Sequence, residues 1–151
     1  MKYSPRHFDG TVIDIPDVWT DNSIINFLGP PMGGVQPNLV LTCHPKNPQT
    51  TLRAYAREQI GALTEQQMHG FEIVSENQDK SADLELFRVN YRWVHKGQGP
   101  QGTPVDVPLR QEQVYFFNQK KACTLTLTCP ESAAESLAEL FETILTSMRC
   151  A

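Results

Sequence analysis

From Phe87 to Trp93 the chain alternates without interruption: Phe87, Val89, Tyr91 and Trp93 fall on one parity, Arg88, Asn90 and Arg92 on the other. Successive strand side chains point to opposite faces, so this stretch of DLELFRVNYRWVH is a strand with one apolar and one polar side. Such a strand belongs in an antiparallel sheet whose apolar face something must cover. The rest of the chain supplies partners of the same kind. FEIVSENQD at 71–79 precedes it, and RQEQVYFFNQ and KACTLTLTC follow as a hairpin turning at 118–121, with Leu125 and Leu127 opposing Thr124, Thr126 and Thr128. KGQGPQGTPVDVP between them, rich in glycine and proline, reads as a connection.

The N-terminal third predicts four short strands. Residues 3–8 and 11–15 flank Asp9-Gly10, a dipeptide suited to positive φ in a tight hairpin, and Pro16 ends the second. Residues 23–28 and 38–43 form another pair around the loop GPPMGGVQP. Two helices complete the pattern. Leu52, Tyr55, Ala56, Ile60 and Leu63 make one stripe, with Thr51 as N-cap and Gly70 as stop. Leu137, Leu140, Phe141, Ile144, Leu145 and Met148 make the other, behind a capping box of Ser132 and Glu135. Strands, helix, strands, helix in this order predict an α+β fold: an antiparallel β-sheet sandwich with the helices packed on one side, in a single domain spanning 1–151.

Composition narrows the function classes. A net charge of −4, with 13 Lys and Arg scattered along the chain, gives no basic stripe for nucleic acid. No apolar run reaches the length of a membrane span, and MKYSPRHFDG is not a signal sequence, so the expected location is cytoplasmic, without membrane insertion. The four cysteines, Cys43, Cys123, Cys129 and Cys150, follow no zinc spacing and read as free thiols; a chain of 151 residues has core enough to fold without a disulfide or metal. No cofactor motif occurs.

Candidate chemistry is correspondingly sparse. Cys43-His44 is one adjacent pair of metal or nucleophile type, but it sits where a strand runs into a proline turn. Asp14, Asp17 and Asp21 straddle Pro16 and share no helical face. Trp19 reads as a core anchor rather than a stacking platform, and Arg88 and Arg92 as charges on a solvated sheet face. The departure from ordinary patterning lies elsewhere. In SIINFL, Ile24 and Leu28 share one parity and Ile25 and Phe27 the other; in NLVLTC, Leu39 and Leu41 oppose Val40. Strands apolar on both sides need cover on both sides: one face takes the helices, and the other meets a subunit, a ligand, a client, or the loop 29–37.

In that order and spacing, FDGTVIDIPDVWTDNSIINF, LRAYAREQI, GFEIVSE, LFRVNYRW, RQEQVYFF and LAELFETILTSM resemble the DcrB-like family of Mog1/PsbP-type fold, and within it the Eag-type (effector-associated gene) chaperones of bacterial type VI secretion. The resemblance implies a non-enzymatic adaptor, a homodimer that holds the N-terminal transmembrane segments of a toxin effector before loading on the secretion spike, with no metal or cofactor. On it, Ile24, Ile25, Leu39 and Leu41 match the groove strands, with Gln111 and Gln113 as polar partners on an opposing strand. A small-ligand binder on the same fold and a hydrolase using Cys43, His44 or a carboxylate are the alternatives.

Overall fold

The computed structural model describes residues 1–119 and 121–150. Strands β1 (Tyr3–Phe8) and β2 (Thr11–Pro16) form a hairpin of their own, turning through Asp9 and Gly10 at φ of 44° and 76°. The main body is one six-stranded antiparallel sheet in the order β3-β4-β8-β7-β6-β5. Its members are β3 (Ile24–Leu28), β4 (Asn38–Pro45), β5 (Glu72–Ser81), β6 (Leu84–Gln98), β7 (Pro104–Asn118) and β8 (Lys121–Pro130). Helix α1 (Leu52–Glu65) follows β4 and α2 (Ala134–Thr146) closes the chain. Of the β7–β8 turn read from the sequence, Lys120 lies outside the described residues.

Alternation along β7 shows how the sheet is covered. Val114 belongs to a cluster with Leu125, Leu127, Leu86 and, from α2, Leu145 and Phe141. Its neighbour Tyr115 belongs to a second cluster with Phe87, Val89, Tyr91 and, from α1, Ala56, Ile60 and Leu63. Adjacent strand residues face opposite ways, so the two helices take opposite faces. The α+β class and antiparallel sheet stand, but the placing of both helices on one side does not. Each helix stripe was legible, whereas the parity it meets is set by strand order. The α2 face includes Arg88, which is therefore not solvated: its side chain is 13% exposed and pairs with Glu112, Asp79 and Glu142.

Local expectations divide in the same way. Thr51 caps α1, its Oγ1 accepting from the Ala54 N–H at 3.1 Å. The helix stops at Glu65, short of Gly70, which takes φ 65° in the turn leading to β5. The Ser132–Glu135 capping box does not form: Glu131–Ala133 is a 3-10 turn and α2 starts behind Ala133 without a side-chain cap. On α2, Phe141 and Ile144 pack on the sheet, as does Met148 just past its end, whereas Leu140 is exposed. The supposed connection 96–108 is mostly strand. β6 and β7 run on to a tight turn at Pro100–Gly102, and Lys96 pairs with Asp106 across them at 2.9 Å. Trp19 is no core anchor; it is 64% exposed on the segment between β2 and β3.

Cysteine chemistry also differs from expectation. Antiparallel pairing of β4 with β8 sets Cys43 opposite Cys123, Cα atoms 4.1 Å apart, and the two are joined in a disulfide. Spacing along the chain could not show this, because 80 residues separate them and only the strand register brings them together. Cys129 is a buried free thiol and Cys150 an exposed one.

Candidate functional site

The site is the part of the α1 face that α1 does not reach. The helix covers Phe87, Val89, Tyr91 and Tyr115, and its outermost contact is Tyr55, whose hydroxyl lies 3.2 Å from Thr124 Oγ1. Toward the β3 edge the same face continues without a helix. Strand register orders its residues in rows: Leu28, Asn38, Thr128 and Gln111; then Asn26, Val40, Thr126 and Gln113; then Ile24, Thr42 and Thr124. None of these side chains is charged. Loop 29–37 turns back on itself through the Met32–Val35 bridge, and Gly33 approaches Pro130 and Ser132 at the end of β8.

Polar groups on this floor largely satisfy one another. Trp93 Nε1–H donates to Gln111 Oε1 at 2.5 Å, and Gln111 Nε2–H donates to Thr128 Oγ1 at 2.8 Å. Across the ladder from Thr128, Asn38 Oδ1 is buried and has no hydrogen-bond partner among the described residues. Gln113 Oε1 accepts from the Tyr115 hydroxyl at 2.6 Å. Burial holds the Tyr91 and Tyr115 phenols well above their ordinary pKa, which keeps both neutral. The result is a surface of hydroxyls, amides and aliphatic groups with no charge to desolvate. It can pack against an apolar partner and exchange hydrogen bonds with it, an arrangement for binding.

The six residues matched from the sequence do not converge. Ile24, Gln111 and Gln113 lie on this floor. Ile25, Leu39 and Leu41 have the opposite parity, on the α2 face, where Leu39 and Leu41 pack against the core of Leu125 and Leu127. Leu28, Asn26, Asn38, Val40, Thr42, Thr124, Thr126 and Thr128 are floor residues outside the matched set. The threonine alternation of TLTLT was the signal for the β8 members, since it marks a strand face that is neither greasy nor ionic.

Two other places bear on chemistry. A hollow of about 430 Å³ lies between α2 and the sheet, but its guanidinium groups are engaged. Arg110 grips Glu131 through two nitrogens and also reaches Asn90, and Arg88 holds Glu112 and Glu142. Burial works against the Arg88 cation, yet its bonds to Glu142 and Glu112 outweigh this and hold its pKa above the ordinary value. In the same hollow, burial pushes the Cys129 thiol up to about 11, so it is not a thiolate at neutral pH. While bonded to Cys123, Cys43 has no free sulfur for a metal or a nucleophilic attack. Among the described residues, no group of three His, Cys, Asp or Glu side chains is arranged to hold a metal ion.

The family model for DcrB matches residues 11–147. This chain belongs to the DcrB family. The match takes in both helices and the whole six-stranded sheet, and so the entire floor. Among solved structures, the DcrB chain is similar to PA94 of Pseudomonas aeruginosa, a protein of unknown function. Identity is 17%, coverage is 99% of this chain and 97% of that one, and the TM-score is 0.78. It is similar also to CyanoP, the cyanobacterial PsbP of Synechocystis sp. PCC 6803, at 15% identity, with coverage of 99% and 92% and a TM-score of 0.55. At these identities the likeness establishes a PsbP-like fold. A search of curated proteins gave no match. No helix among the described residues is long and apolar enough to cross a membrane.

Proposed function

We propose that this DcrB-family chain is a non-enzymatic adaptor that shelters the N-terminal transmembrane segments of a toxin effector in the cytoplasm, as type VI effector chaperones do. The observation that carries the reading is the charge-free floor beside α1. A transmembrane segment is about 20 mostly apolar residues that aggregate in water. Covering it with a surface bearing ions would strip those ions of solvent, whereas threonines and glutamines that already bond to each other lose little. The same groups match small polar residues on a membrane helix, which associate through hydroxyl and amide contacts. Gln113, whose Oε1 accepts from the Tyr115 hydroxyl, keeps its amide nitrogen for such a contact.

Co-expression with an N-terminal effector fragment tests the reading. The wild-type chain is expected to keep the fragment soluble and co-purify with it, and Val40→Asp with Thr126→Asp to lose it while remaining folded. A fragment that stays soluble alone, or a double variant that still captures it, overturns the proposal. Compartment is tested through the disulfide. A cytoplasmic adaptor would hold Cys43 and Cys123 mainly as thiols. Acid-quenched, alkylated cells should therefore yield the reduced mass, and a fully oxidised pair would sink the cytoplasmic part. Native mass spectrometry after mild purification separates off the small-ligand reading, which requires a retained adduct.

A further inference from the structure

Strands β6 and β7 outrun their neighbours. β5 leaves β6 at Arg92 and β8 leaves β7 at Leu109. Farther out, among the described residues, the two pair only with each other: His95 with Val107, Lys96 with Asp106, Gly97 with Val105 and Gln98 with Pro104. The root of this arm is tied by the Val94 N–H, which donates to the His69 carbonyl at 2.7 Å. A two-stranded ribbon by itself is marginally stable in water, so the arm gains from anything packed on one of its faces. Its edges discourage a further strand. Pro104 and Pro108 lack the N–H that an added strand would use on the β7 side, and Lys96 puts a charge on the β6 side.

One face of the arm prolongs the floor. Side chains alternate along β7, so Val105, Val107 and Leu109 share the side of Gln111 and Gln113, with Gly97 and His95 directly across from Val105 and Val107. The Lys96–Asp106 pair occupies the other side. From Gln113 out to Val105 this face bears no carboxylate, ammonium or guanidinium. Leu109 is buried at the root, Val107 is half-buried and Val105 is exposed. At its opposite end the floor runs into ions: the Lys46 ammonium lies 4.7 Å from the Phe117 ring centre, and Glu58 lines the same hollow.

A membrane-spanning helix of about 20 residues is about 30 Å long. The floor measures about 13 Å along the strands, from Thr124 to Thr128, and about 14 Å across them, from β7 to β3. Such a helix overhangs the floor in every direction, by about 10 Å even on the diagonal, and leaves that length of apolar side chains in water. From Gln113 to Val105 along β7 the distance is about 26 Å, close to what the helix needs. We propose that the β6–β7 arm is the missing part of the client site, its Val105–Val107 face seating the stretch of a client's membrane-spanning helix that projects beyond the floor. This rests on the adaptor reading.

Segments of leucine, alanine and serine, about 20 and about 10 residues long and each fused ahead of a soluble carrier protein, serve as probes for co-purification with the full chain. The wild-type chain is expected to hold the long probe more tightly than the short one. Val105→Asp with Val107→Asp should weaken capture of the long probe about tenfold and leave the short one, which fits on the floor alone, unchanged. Val105→Thr with Val107→Thr, as uncharged as the floor itself, and Lys96→Gln with Asp106→Asn, on the arm's other face, should both keep the long probe, which separates loss of the face from loss of the arm's fold. Undiminished capture of the long probe by the aspartate variant, or equal losses of both probes, overturns the proposal and leaves the adaptor reading in place. A wild-type chain that captures neither probe removes the adaptor reading and the arm's role with it. A fall in the sedimenting mass of the client-free chain on Val105→Asp with Val107→Asp would show that a second copy covers this face, and would also overturn the proposal.

Discussion

Arg88 shows how one side chain changes meaning when its surroundings are known. Its parity on β6 marks it as polar, and parity alone sends it to solvent. In the fold it lies under α2, donating to Glu112 across the β6–β7 ladder at 2.6 Å, to Asp79 on β5 and to Glu142 on α2. Glu112 is itself buried, so removing the guanidinium strands a carboxylate in the interior. Arg88→Ala is expected to lower unfolding free energy in urea by about 3 kcal/mol. Arg88→Met with Glu112→Leu, which removes both charges, should cost about 1 kcal/mol or less, because burying the pair consumed most of its attraction. If the single variant is as stable as the double, the pair is better solvated than its geometry implies.

Among the elements, the β1–β2 hairpin is the least integrated. Among the described residues it pairs only with itself, and the segment after it is held by Asp21, which accepts from Lys121 on β8 at 2.9 Å and from the Ser23 hydroxyl and N–H. The bonds from Ser23 and Lys121 hold the Asp21 carboxyl well below the usual carboxylate range. A depressed folded-state pKa contributes stability that is present above the unfolded value of about 4 and is lost as pH falls through the folded value. The tether should therefore hold at neutral pH and release during acidification below about 4. Trp19 emission, two residues from Asp21, should change over that range, and Lys121→Ala should move the change to higher pH. An identical profile in the variant would show that Lys121 does not hold the segment. Nothing in the amino-acid order linked residue 21 to residue 121; the hairpin turn of Asp9-Gly10 was legible because it is settled within two residues.

At the scale of the whole molecule, one sheet serves two environments. Val40 and Leu41 are neighbours, yet Leu41 packs into the core beneath α2 and Val40 stands on the floor beside α1. Leu41→Asp should cost about 3 kcal/mol or more, since it places an unpaired charge against the Leu125–Leu127 core. Val40→Asp should cost about 1 kcal/mol or less in the free chain, with its effect appearing on binding. Equal losses from both would mean that the floor is interior in solution. Of the six residues matched from the sequence, this division keeps Ile24, Gln111 and Gln113 on the floor and assigns Leu39 and Leu41 to the core.

Periodicity by itself determined which residues of each strand share a side, where both helices begin to bury apolar stripes, and that β3 and β4 are apolar on two sides. These follow from the fixed geometry of two-residue and 3.6-residue repeats. Tertiary structure alone decided that the helices take opposite faces, that Cys43 meets Cys123, that Arg88 is enclosed, and that a charge-free strip beside α1 is left uncovered. Each of these depends on which strands become neighbours and in what register, and that choice is made by long-range pairing that no local repeat contains.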